Sequence, residues 1–236
     1  LKEQGCLFVV GRYTLQAGHE VDLKQFTIKH ISELSPEAWL SNVLESGQSI
    51  GFDPHLHTPG QITKYRLSCE KVGAKLVALS DNPIDRAWTD QPERPQGNIS
   101  VQPISLTGVS HIKKLEDLRQ VLLDEGCDSL FITAPESLCW FLNIRGSDVQ
   151  YTPIVLASLL VSNKGQVILF IDQQKMNEET LKHLGDNVVI APERALVDQF
   201  SEWFGHASRM AVDETTVSEW HIDFFRSKGL ELKITK

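Results

Sequence analysis

Long apolar runs are scarce in this sequence. Its most hydrophobic stretches, around residues 154–161 and 167–171, fall far short of the roughly 20 residues a helix needs to cross a bilayer, which excludes a helical membrane span. Blocks of Lys and Arg are missing too. The 23 basic and 31 acidic side chains leave a net charge of −8, so neither a nucleic-acid nor an anionic-membrane footprint is expected. Cysteine is sparse: Cys6, Cys69, Cys127 and Cys139 form no C-x-x-C pair and sit in apolar contexts, as reduced, buried thiols of a cytoplasmic protein do. No charged-then-apolar leader opens the sequence, so no secretion signal is expected. It begins at Leu1 rather than Met, with a strand-like segment almost at once, and is expected to be a fragment.

What is present suits a globular protein. Hydrophobic residues make up 41% and charged residues 23%, enough for a sizeable core, and 236 residues suit one large domain or two modest ones. Helix starts are legible. Thr58-Pro59-Gly60-Gln61 offers an N-cap, a first-turn proline and a residue able to cap back. Thr133-Ala134-Pro135-Glu136 and Thr216-Val217-Ser218-Glu219 have the same form, and Ser35-Pro36-Glu37 is a cap plus first-turn proline. Helices are expected over about 36–46, 59–72, 111–125, 134–142, 175–184, 193–205 and 216–228, several ending at a glycine: Gly47, Gly73, Gly126 and Gly229. Short apolar runs at 6–10, 26–28, 49–52, 75–79, 129–133, 154–162, 167–171, 187–190, 209–212 and 231–234 suit strands. The alternation predicts an α/β fold with a largely parallel or mixed sheet.

A repeat runs through this pattern. Residues 49–78 read strand, Asp53, capped helix, glycine and strand, and residues 209–234 repeat the plan with Asp213. Two copies of one unit imply two similar domains, 1–104 and 105–236, linked through the Pro- and Gly-rich stretch 91–108. The repeat also bears on Asp53-Pro54-His55-Leu56-His57-Thr58, where an Asp and a His-x-His invite a metal ion. The second copy reads Asp213-Glu214-Thr215-Thr216: the aspartate recurs and the histidines do not. An Asp shared at a strand end is a turn or helix-entry device. No other His, Asp or Glu cluster has ligand-like spacing, so no metal is expected in this chain.

The most specific segment is residues 134–149, APESLCWFLNIRGSDV, in which a capped helix breaks into Asn-Ile-Arg-Gly-Ser-Asp. It resembles the E-x-x-x-W-L-x-N-x-R-G-x-D signature of the long, three-domain Xaa-Pro aminopeptidases (aminopeptidase P), and Tyr151-Thr152-Pro153-Ile154-Val155 continues the likeness. Gly11-Arg12-Tyr13-Thr14-Leu15-Gln16-Ala17 resembles the family's D-G-R-Y-x-x-Q-A, with Val10 in place of the Asp. NPIDRAWTDQPERP, at 82–95, is similar to its N-L-V-D-x-I-W-x-D-R-P. Gly108-Val109-Ser110 through Leu118-Arg119 is similar to the opening of its second domain, so the likeness runs through nearly the whole chain in order.

The resemblance implies two creatinase/prolidase N-terminal-type domains, each a mixed sheet flanked by helices, the first clipped at its N-terminus. It also implies a third, C-terminal "pita-bread" catalytic domain beyond residue 236, holding two Mn(II) ions through two Asp, one His and two Glu. This chain is then expected to be inactive alone and to bind no cofactor. Within the family, Arg12 matches the arginine that reaches toward bound peptide, a role suited to a planar, permanently charged guanidinium. Trp88, Arg145 and Asp148 are expected at domain interfaces, with an Arg145–Asp148 pair fixing a tight turn about Gly146. The implied partners are peptides with proline at the second position and a second copy of the chain, in the cytoplasm. The competing reading is a non-catalytic, peptidase-like binding module.

Overall fold

Glycine follows three helices where the sequence predicts, at Gly73, Gly126 and Gly229, whereas the helix expected to end at Gly47 stops at Val43 with an extended Leu44. Gly47, Gly73, Gly126 and Gly229 have φ of 82°, 74°, 65° and 86°, in the left-handed region open to a residue without Cβ. The computed structural model describes residues 5–204 and 208–235. The chain divides into two compact units, Leu1–Pro83 and Ile84–Lys236. Residues 84–104, expected with the first half, lie in the second unit.

In the first unit, β1 (Gly5–Val9) leads through a 3-10 turn at Gly11–Tyr13 into α1 (Thr14–Glu20) and then β2 (Phe26–His30), which pairs with β1 in parallel. There follow α2 (Pro36–Val43), β3 (Ser49–Phe52), α3 (Pro59–Lys71) and β4 (Lys75–Ala78), with β3 and β4 parallel. The Ser35 hydroxyl caps α2 by accepting the Ala38 N–H, and the Gln61 amide oxygen accepts the Thr58 N–H at the start of α3. Leu40, Leu44, Cys69 and Ala74 form a small core between these elements. The sequence reading missed α1 because it lacks an apolar stripe: only Ala17 is buried, and Leu15 is exposed.

The second unit opens with α4 (Pro83–Ala87), β5 (Ile99–Val101), α5 (Ile104–Thr107), α6 (His111–Asp124), β6 (Ser129–Ile132), α7 (Pro135–Leu142), β7 (Ile144–Gly146), β8 (Ser158–Ser162) and β9 (Val167–Phe170). It continues through α8 (Glu178–Leu184), β10 (Val188–Ala191), α9 (Ala195–Asp198), α10 (Phe200–Phe204), β11 (Arg209–Asp213), α11 (Glu219–Ser227) and β12 (Glu231–Thr235). Six strands form one mixed sheet in the order β10-β9-β8-β6-β11-β12, with β8 antiparallel to both neighbours and the other pairs parallel. The three-residue strands β5 and β7, too short to show a period, pair antiparallel beside it.

Both faces of the large sheet are covered. Along β8 and β9, Leu159, Val161, Val167 and Leu169 join one apolar cluster, while Leu160, Ile168 and Phe170 join the other. Adjacent residues of a strand point to opposite faces, which is why these strands read as continuous apolar runs rather than alternating ones.

The repeat is visible as two parallel β-α-β units, β3-α3-β4 and β11-α11-β12. In each, the aspartate at the close of the first strand accepts the N–H two residues on: Asp53 Oδ1, just past β3, from His55 and Asp213 Oδ1, the last residue of β11, from Thr215, both at 2.8 Å. Two helix starts differ from expectation. Thr133 and Thr216 cap nothing; their hydroxyls bond each other at 3.3 Å, and Ser218 is the residue whose hydroxyl accepts the His221 N–H to start α11. The single helix expected over 193–205 is broken at Gln199, and residue 205 lies outside the described residues.

Candidate functional site

The signature segment is built around the end of α7. A helix leaves its last carbonyls without intrahelical partners and concentrates negative potential there. Here three cation-capable side chains from three elements meet them. Arg145 Nη1 of β7 donates to the Cys139 and Ile144 carbonyls at 3.3 and 2.7 Å. Lys114 Nζ of α6 donates to Trp140 O at 2.6 Å, and His183 Nε2 of α8 donates to Leu142 O at 2.9 Å. Lys114 also bonds Asn143 Oδ1 at 2.6 Å and sits 4.0 Å from the centre of the Trp140 ring. Burial, and next the Arg145 charge, push the Lys114 pKa down.

Asn143 is the hinge of this arrangement. It is 2% exposed and adopts the left-handed conformation, φ 55°, which Asn tolerates better than other side-chain-bearing residues. Its amide donates to Val109 O at 2.9 Å and its carbonyl accepts the Gln102 N–H at 2.8 Å, tying α7 to the entry of α6 and to β5. The neighbouring His111 is buried, its ring centre 4.3 Å from that of His183 and its Nε2 without a hydrogen-bond partner.

Beyond β7, the turn differs from the sequence expectation. Asp148 pairs with Lys175, Nζ to Oδ2 at 2.8 Å, rather than with Arg145. The two side chains are 1% and 6% exposed. Asp148 also accepts the Gly97 N–H at 3.0 Å and the Leu156 N–H at 2.7 Å, so its oxygens are saturated inside the unit. Arg145 instead donates to the Ile144 carbonyl of its own strand and to Cys139 O of α7, while three other donors occupy Asp148. The loop so anchored presents Tyr151, 95% exposed and at φ 60°.

Gly97 lies against this turn. A Cβ there would sit 2.5 Å from Asp148 N and from Ser147 C, both backbone atoms that cannot swing away. Gly97→Ala is expected to cost about 1–3 kcal/mol through forced backbone displacement, measurable by urea unfolding; an unchanged midpoint would show that the turn yields freely.

The remaining predicted residues lie elsewhere. Arg12 is exposed in the 3-10 turn after β1, its guanidinium 5.8 Å from the centre of the Tyr13 ring. Trp88 follows α4 and is 47% exposed. Asp53 binds Asn82 Nδ2 at 2.9 Å through its second oxygen. His57 donates Nδ1–H to Asp53 O at 2.8 Å and stacks edge-on with Phe52 and Tyr65, the environment of a packed loop histidine. Among the described residues no group of three or more His, Cys, Asp or Glu could hold a metal ion. Cys139 accepts the Val155 N–H at 3.3 Å, and burial pushes its pKa up, so it is an inert thiol.

Sequence reasoning missed Lys114, His183, Lys175 and Gly97. Asn143 had a local signal, an Asn at the close of a helix. The others had none, since Lys175 meets Asp148 across 27 residues and Lys114 meets Asn143 across 29.

Comparison with known proteins places this geometry. The model of the creatinase/prolidase N-terminal domain matches residues 90–233. A probable Xaa-Pro aminopeptidase P of Leptosphaeria maculans is 31% identical over 201 residues, covering 84% of this chain and 33% of that protein. An Xaa-Pro aminopeptidase of Caenorhabditis elegans is 32% identical over 206 residues, covering 85% and 33%. The chain thus spans about a third of the length of these curated relatives. The crystal structure of X-prolyl aminopeptidase from Caenorhabditis elegans, a cytosolic enzyme with a di-nuclear active site, superposes on 99% of this chain and 39% of its own, with a TM-score of 0.86 at 28% identity. The family model matches more than half of the chain, including the six-stranded mixed sheet up to Lys233, and this chain belongs to the creatinase/prolidase N-terminal domain family.

Proposed function

We propose that this chain is the non-catalytic part of a cytoplasmic, homodimeric Xaa-Pro aminopeptidase, a metallopeptidase that releases the residue before a proline. It comprises two creatinase N-terminal-like domains that shape substrate access and oligomer contacts. The observation that carries this reading is the likeness of nearly the whole chain to X-prolyl aminopeptidase from Caenorhabditis elegans. The chemistry agrees: around α7, Lys114, Asn143, Arg145 and His183 bond to backbone or to each other, a framework rather than a reacting centre. The pair of divalent ions then belongs to a downstream domain, where such ions lower the pKa of bound water and polarise a carbonyl.

Arg12 is the residue of this chain assigned to substrate. It is exposed, and its planar donors suit a peptide carbonyl or carboxylate. Trp88 is assigned to an interface, where a half-exposed indole supplies apolar area. Arg145 and Asp148 act on an interface through the loop they hold, since their own polar atoms bond within the unit.

The test is to express the chain together with the sequence that follows it in its gene. The longer protein is expected to cleave Xaa-Pro peptides when given Mn(II), and the 236-residue chain to cleave none. In the longer protein Arg12→Ala is expected to raise KM about tenfold with kcat within about twofold, the pattern for lost uniform binding. An unchanged KM sinks the role of Arg12. A downstream sequence lacking the metal ligands sinks the peptidase reading and leaves a binding module.

A further inference from the structure

We propose that the cleft at the carboxyl ends of β9 and β10 binds a small carboxylate, a group that the free C-terminus of a short peptide carries. The cleft encloses about 520 Å³ and is bounded by Arg94 and Gln96, by the turn of Asp172 and Lys175 after β9, and by Glu193 and Arg194 after β10. The cleft is formed by the turns that follow two neighbouring parallel strands, and its volume is in the range of small-ligand sites. The site lies within residues 84–236 and does not depend on the function proposed above.

The walls are held in place before any ligand arrives. Gly97, next to Gln96, donates its N–H to the buried Asp148, and the same carboxylate holds Lys175. Gln96 Nε2 donates to Asp172 Oδ2 at 2.7 Å, while Asp172 Oδ1 accepts the Gln174 N–H at 2.9 Å. Preorganised walls reduce the ordering cost of binding.

The unsatisfied chemistry of the cleft is donor-rich. Lys175 is neutralised by Asp148, and Asp172 keeps its negative charge but has both oxygens turned to the Gln96 amide and the Gln174 N–H. Arg94 pairs with Glu193 through one nitrogen, leaving the rest of its five N–H donors, and Arg194 has no ion pair among the described residues. The two guanidiniums that line the cleft, Arg94 and Arg194, match a planar anion that can accept bidentate bonds. Glu193 occupies Arg94 in the empty cleft and competes with the ligand for it.

The test is an NMR titration of the 15N-labelled chain at constant ionic strength with trialanine, with trialanine amide and with inorganic phosphate. Trialanine is expected to shift the amides of Gln96, Gly97, Asp172, Gln174, Glu193 and Arg194 saturably, with Kd on the order of 1 mM. Arg194→Ala is expected to weaken binding about tenfold, and Glu193→Gln to tighten it about threefold by releasing Arg94. These side chains are exposed, so the variants retain the fold, which the unperturbed remainder of each spectrum reports. Absence of saturable shifts, equal binding of the amide, or binding indifferent to Arg194→Ala overturns the proposal. Phosphate binding more tightly than trialanine overturns the carboxylate assignment and gives the cleft to inorganic anions.

Discussion

Asp148→Asn is expected to destabilise the chain by about 3–5 kcal/mol, the range for removing one partner of a buried ion pair. The substitution changes almost no volume, so the loss is electrostatic. Lys175 Nζ keeps its charge in a place where its side chain is 6% exposed and its remaining partner is Leu156 O at 3.4 Å. The Asn amide also turns a donor toward one of three donors, Gly97 N–H, Leu156 N–H and Lys175 Nζ, that Asp148 now satisfies. For a domain of this size the loss corresponds to a fall in Tm of roughly 10 °C, read by circular dichroism. Adding Lys175→Met should restore about half of it or more, because the stranded charge is then gone. A loss under about 1 kcal/mol in Asp148→Asn would falsify the view that this pair is dry and obligatory.

The second large effect is a dependence on pH. The His111 pKa is lowered to about 4, first by burial, then by the positive potential of His183 and Lys114. Its Nε2 has no hydrogen-bond partner, so an N–H formed there by protonation would find no acceptor. The unfolded chain takes up that proton near pH 6.5 and the folded chain only near 4, so between those values the unfolded state binds more protons. Stability therefore rises with pH across this window, by about 3 kcal/mol in all. His111→Phe keeps a flat aromatic ring at the site and should remove most of that slope. The lowered carboxylates Glu125, Asp128 and Asp172 act differently: their stabilisation is lost as pH falls below their ordinary range, near 4. Urea midpoints of the two proteins measured from pH 4 to 7 separate the contributions. Parallel profiles would show that His111 is not the group responsible.

Local physics was readable wherever a rule acts within four or five residues. The capping by Ser35 and Gln61, the left-handed glycines and the turns at Asp53 and Asp213 are all short-range events. The motif at residues 134–149 pointed to the family, and the match over residues 90–233 shows it. The failures were of another kind. Thr133 has the sequence of a cap, yet its hydroxyl faces Thr216, 83 residues away. Arg145 and Asp148 stand three apart in opposite charge, yet each turns to a different partner.

The alternation of the main strands and helices, the β-α-β repeat and the family likeness thus follow from the order of residues, because they depend on periodicity and on bonds between near neighbours, whereas short elements such as α1, β5 and β7 carry no period to read. The partner of each buried charge does not. Lys175 reaches Asp148, and Lys114, Arg145 and His183 converge on the end of α7, only once β9 lies beside β8 and α6 and α8 have packed against that helix. A charge removed from water takes whichever acceptors the packed chain brings within about 3 Å, and that choice belongs to the tertiary structure.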